Sequence, residues 1–133
     1  MSTEQITKTA TVPKKFKKAV KKVKAALKEQ GFGILTEIDV QATLKTKLDV
    51  DYPPTLILGA CNPKLAHRAL LANADVSVLM PCNVVVRVNE DGKVEVAAMD
   101  PMILSELMKN PEITLVAEEG AARLDKALAQ IVG

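Results

Sequence analysis

Two cysteines, two asparagines and one histidine are the residues of this chain whose types and spacing could do chemistry. Cys61 and Cys82 are each followed by an asparagine, Asn62 and Asn83, and each joint is flanked by a proline, Pro63 or Pro81. Asn62 before Pro63 is a strong helix start, with Asn as N-cap and Pro at the first helical position. Cys61 therefore stands at the positive end of a helix dipole, where a thiolate is stabilised and a thiol pKa falls. Cys82 stands at the mouth of the following strand, and His67 lies between them.

Three chemistries fit these residues. Cys61, Cys82 and His67 could hold a soft metal, since thiolates select Cu(I) or Zn. They fall short of the four ligands of a structural zinc, and no CxxC or HxxxH supports them. As a nucleophile or redox group, Cys61 has the dipole but no acid or base partner except a distant His67. The plain alternative is that both thiols are small buried apolar residues, with His67 an ordinary histidine beside Arg68. The candidate ligand frame is Gly59, Cys61, Asn62, Pro81, Cys82 and Asn83.

The elements that must position these residues follow from pattern. Alternation over residues 3–11, with Gln5, Thr7, Thr9 and Thr11 on one side, predicts a weak strand at an edge. Pro13 opens a helix whose buried stripe is Phe16, Val20, Val23 and Leu27, closed by Gly31. Residues 32–38 form a strand, and Asp39 caps a short helix to Leu48 with Val40, Leu44 and Leu48 on its inner face. After Pro53 and Pro54 comes a continuous apolar strand over 55–60, and then the helix begun by Asn62 and Pro63. Residues 74–81 read equally as a helical turn or a short strand. Two β-branched runs, 82–88 and 93–99, joined through Asp91 and Gly92, form a hairpin. Asp100–Pro101 and Asn110–Pro111 repeat the cap device for two final helices, the second interrupted by Gly120, which marks a close approach.

The order β-α-β-α-β-α-β-β-α-α predicts a single α+β domain over 1–133, with helices on one face of a mixed sheet of about five strands. Leu56, Leu58, Val84, Val86 and Val88 imply an apolar second face, so a homodimer burying that face is expected. Whether the cysteines meet depends on topology. Parallel strands would separate them by about 20 Å, and antiparallel strands would bring them together.

Composition narrows the classes. With 133 residues, 48% of them hydrophobic, the chain can bury a core without staples. The polar N-terminus and the lack of any run near the roughly 20 apolar residues of a membrane span imply a soluble cytoplasmic protein with reduced thiols. Residues 13–30 carry eight lysines against one glutamate, while the whole chain nets only +2. That face could hold a polyanion, or simply be solvated, its lysine stems covering the apolar stripe. With two Phe, one Tyr and no Trp, there is no aromatic platform for nucleic-acid bases. No GxGxxG, GxxxxGK[ST] or GxSxG pattern occurs.

Residues 31–48, then LGACNPKLAHRAL at 58–70, LMPCNVVVRV at 79–88 and MDP at 99–101 resemble, in that order, the domain of unknown function 302 family of small prokaryotic proteins. The resemblance covers nearly the whole chain. It implies a compact α+β fold, commonly homodimeric, with no established activity or cofactor, and it makes the two Cys-Asn pairs a shared site. It lends no support to nucleic-acid binding by the lysine-dense helix. A binding module for a small ligand or soft metal is the leading expectation, ahead of a thiol enzyme or redox sensor using Cys61.

Overall fold

A computed structural model describes residues 6–132. Five strands, β1 (Thr7–Val12), β2 (Gly33–Asp39), β3 (Thr55–Cys61), β4 (Cys82–Val88) and β5 (Val94–Met99), form one sheet in the order β1-β5-β4-β3-β2. All four neighbouring pairs are antiparallel, so the sheet is not mixed as the element order suggested. Each helical connection returns the chain to an antiparallel slot. The helices are α1 (Phe16–Glu29), α2 (Val40–Leu48), α3 (Pro63–Ala72), α4 (Met102–Met108) and α5 (Pro111–Val132). Residues Ala74–Leu79, ambiguous in sequence, form a 3₁₀ turn. Among the described residues no helix is long and apolar enough to cross a membrane.

The cap residues act as their types dictate. Asp39 accepts from the Ala42 N–H, Asn62 from Leu65, Asp100 from Met102, and Asn110 from Glu112 and Ile113. Each satisfies backbone donors that a helix start leaves without intrahelical partners. Pro13 does not open α1. The chain turns there, with the Lys14 N–H donating to the Val12 carbonyl, and the helix begins at Phe16. Gly31 ends α1 with a φ of 85°, the left-handed region where glycine has no Cβ cost. β1 is an edge strand, as its weak pattern predicted, and the part of that reading at residues 3–5 lies outside the described residues.

Strand alternation assigns the two faces. Leu58, Val84, Val86, Val96 and Ala98 are buried beneath α1 and α5, with Ala19, Val23, Leu27, Leu124 and Ile131 above them. Leu56 and Val88 pack against the same core. The five residues offered as an apolar second face therefore point into the helix layer. Register places Thr9, Ala97, Val85, Ile57 and Ile38 on the opposite face, beside an Arg87–Glu95 ion pair of 2.6 Å. α2 also departs from expectation: none of its residues is buried, and Leu48 is 66% exposed.

A second core cluster, Leu65, Ala69, Val76, Leu104, Ile113 and Val116, joins α3, the 3₁₀ turn, α4 and the start of α5. The two clusters meet at the end of the sheet where β3 finishes and β4 begins.

Candidate functional site

That seam holds the two cysteines. In the β3–β4 ladder Ala60 stands opposite Cys82 and Gly59 opposite Asn83, which puts Cys61 one residue beyond the Cys82 position on the adjacent strand. The antiparallel alternative is thus the one realised, and the two joints face each other. Both thiols are free and half-buried. They line one cleft with an internal volume of about 50 Å³, walled by the sheet end, α3, the start of α4 and α5. That is several times the minimum needed for one water, about 10–15 Å³, so the space suits an ion or a very small molecule.

The wall is apolar. Phe32 and Ala60 come from the first core cluster, Leu65, Leu104 and Val116 from the second, and Met80 and Pro81 close the side before Cys82. The Met80–Pro81 peptide is cis. Asn62 is the polar side chain in the lining besides the thiols, and its Oδ1 is engaged with the Leu65 N–H at 3.3 Å.

Electrostatics here run against the expectation of a reactive Cys61. Burial pushes the Cys61 thiol up from its ordinary value of 9.0, and pushes Cys82 up to about 11, where the neighbouring Cys61 charge adds to the effect. The helix dipole does not win, because the α3 start has few bare donors to offer: Pro63 carries no N–H and the Leu65 N–H is taken by Asn62. With that end capped, desolvation decides the direction. The mutual effect of the two thiols also requires them to be close.

Of the residues singled out in sequence, Cys61, Asn62, Pro81 and Cys82 come together at the cleft. Asn83 alternates to the opposite sheet face and is exposed. Gly59 also lies on that face, behind the cleft. A Cβ there would stand 2.2 Å from Thr36 Oγ1 and 2.8 Å from Pro81 Cγ, so glycine is what allows Pro81 to seat against the strand. His67 is not brought to the cysteines. Leu65 and Ala66 are the α3 side chains facing the cleft, and helical phase turns His67 outward to an exposed position. Among the described residues no three His, Cys, Asp or Glu side chains gather as a metal-holding group.

The walls supplied by Phe32, Leu104, Ala117 and Gly120 carried no local signal, because only tertiary packing brings them there. Met80 had one, its place directly before Pro81 and Cys82. Gly120 does not mark a tight backbone approach. A Cβ on it would lie 3.6 Å from Pro101 and 3.8 Å from Leu65, ordinary contact distances, so its missing side chain leaves room in the cleft.

A comparison with curated proteins found no match. Among solved structures, the crystal structure of an uncharacterized conserved protein DUF302 from Bacillus stearothermophilus is similar. It shares 28% sequence identity and a TM-score of 0.86, over 94% of this chain and 97% of that one. The family model described as domain of unknown function DUF302 matches residues 8–131. From the GACNP and PCNVVV joints to the sheet that sets them side by side, this chain belongs to the DUF302 family.

Proposed function

We propose that this protein is a binding module that holds a small ligand or a soft metal ion in the cleft between Cys61 and Cys82. One observation carries the reading: where β3 ends and β4 begins, both cysteines line one apolar-walled cleft. Two sulfurs on one apolar-walled cleft favour soft partners, because thiolates prefer Cu(I) and Zn over hard cations. The upward shift of both thiols disfavours a free thiolate nucleophile at neutral pH, whereas a soft metal ion displaces the thiol protons as it binds.

The same reading takes the protein to be a cytoplasmic homodimer. Two unbridged cysteines suit a reducing compartment. Leu35, Ile38, Leu48, Val50 and Tyr52 are exposed apolar side chains on or beside the edge strand β2, a patch that a second copy would cover by presenting the same surface.

Thiol alkylation followed by intact mass tests the site. Reduced protein is treated with iodoacetamide alone, with Cu(I), Zn(II) or Cd(II), and with a panel of small apolar fragments. The reading expects at least one of these to slow modification of Cys61 and Cys82 together. Unchanged rates with every probe would refute it.

A further inference from the structure

We infer that the ligand of this cleft is a single Cu(I) ion, bound by the Cys61 and Cys82 sulfurs with the Met80 thioether as third donor. This rests on the reading of the cleft as a binding site and goes beyond it by naming the ion and adding Met80.

Met80 lines the same cleft as both cysteines and is partly buried against the second core cluster. It sits two residues before Cys82, so the thioether and one thiol are supplied by one short segment of the cleft wall. The donor set is then all sulfur. No carboxylate or imidazole lines the cleft, and the Asn62 Oδ1 is already engaged.

That chemistry selects among soft metals. Zinc in a structural site closes a tetrahedron of four protein ligands drawn from thiolate, imidazole and carboxylate. The residues here provide no fourth donor of any of those kinds. Cu(I) accepts thiolate and thioether ligands in low coordination numbers, and the thioether discriminates in its favour. The apolar walls, Phe32, Leu65, Leu104 and Val116 among them, offer no oxygen donor from their side chains to compete with the sulfurs. On binding, two Cu–S bonds replace two S–H bonds, both protons leave to solvent, and no electron is transferred.

The test uses the full-length reduced protein under anaerobic conditions, with Cu(I) affinity measured by competition against a colorimetric chelator and Zn(II) affinity measured in parallel. The inference expects one Cu(I) per chain, bound more tightly than Zn(II). Met80→Leu, a volume-conserving change, should weaken Cu(I) on the order of tenfold and leave Zn(II) unchanged. Cys61→Ser and Cys82→Ser should each abolish tight Cu(I) binding. In selenomethionine-labelled protein, X-ray absorption at the copper edge should show copper–selenium scattering, a signature that a merely structural Met80 would not give. Wild-type Cu(I) affinity in Met80→Leu, or no copper–selenium path, would overturn the role of Met80. Tighter Zn(II) than Cu(I), or thiol protection by a fragment and not by Cu(I), would overturn the assignment of the ion while leaving the cleft a binding site. Thiols left unprotected by every probe would overturn both.

Discussion

Cys61 and Cys82 occupy neighbouring antiparallel strands one residue out of register, and both open onto the seam where two hydrophobic clusters meet. Residues 21 positions apart in the chain are thereby brought to one cleft, by the strand pairing and by the helices packed across the end of the sheet.

The thiols should leave a pH signature on stability. Cys82 is held protonated in the folded state up to about 11, against an ordinary value of 9.0. A folded pKa above the unfolded one gives stability that is fully present below the unfolded pKa and is lost as pH rises through the folded pKa. Thermal melts from pH 9 to pH 11 should therefore fall more steeply for the native protein than for Cys82→Ala. Parallel curves would show that burial does not hold the proton. Because the Cys61 charge also raises Cys82, alkylation of Cys82 in Cys61→Ser should begin at lower pH than in the native protein.

Behind the cleft, Thr36 and Pro81 leave no room for a side chain at Gly59. Gly59→Ala should destabilise the fold by roughly 1–3 kcal/mol, the usual cost of overpacking. Thr36→Ala removes the Oγ1 that would stand 2.2 Å from the new Cβ, while Pro81 Cγ at 2.8 Å remains. The double variant should thus recover part of the loss and not all, which a double-mutant cycle by urea denaturation reads directly. Additive effects would mean that the two residues do not share this contact.

Gly120 separates stability from function. Gly120→Ala fits at ordinary contact distances and replaces a poor helix former, so it should stabilise α5 by about 0.5–1 kcal/mol. The added methyl projects toward Pro101 and Leu65, narrowing the cleft, so ligand protection of the thiols should weaken. A variant that is more stable and binds equally well would place the ligand elsewhere.

Asn62 ties the cleft to α3. Asn62→Ala should cost about 1 kcal/mol through the lost cap on the Leu65 N–H, and Asn62→Asp should retain most of it. Equal melting of the alanine and aspartate variants would remove the cap from the account.

Much of this was legible in the sequence because it is local. Asn62–Pro63, Asp100–Pro101 and Asn110–Pro111 begin helices by satisfying nearby donors, and the 82–88 and 93–99 runs pair across a short turn closed by Gly92 at φ 76°. The meeting of the thiols needed strand direction, which the spacing between them leaves open. Face assignment failed for Leu56, Leu58, Val84, Val86 and Val88 because an apolar alternation does not say on which side the helices lie. The Cys61 pKa was misjudged because a dipole argument sees the helix end and not the burial around the sulfur. His67 and Asn83 stand beside site residues in the chain, but helical phase and strand alternation point them away.

The central claim, in its metal form, is that a soft ion sits between the two sulfurs. Crystals of the reduced protein soaked separately with Cu(I), Zn(II) and Cd(II) test it through anomalous scattering at each metal's absorption edge. The account predicts, for at least one metal, a single strong peak within bonding distance of both Cys61 Sγ and Cys82 Sγ. Peaks only at surface sites such as His67, or none between the cysteines for any metal, would contradict it.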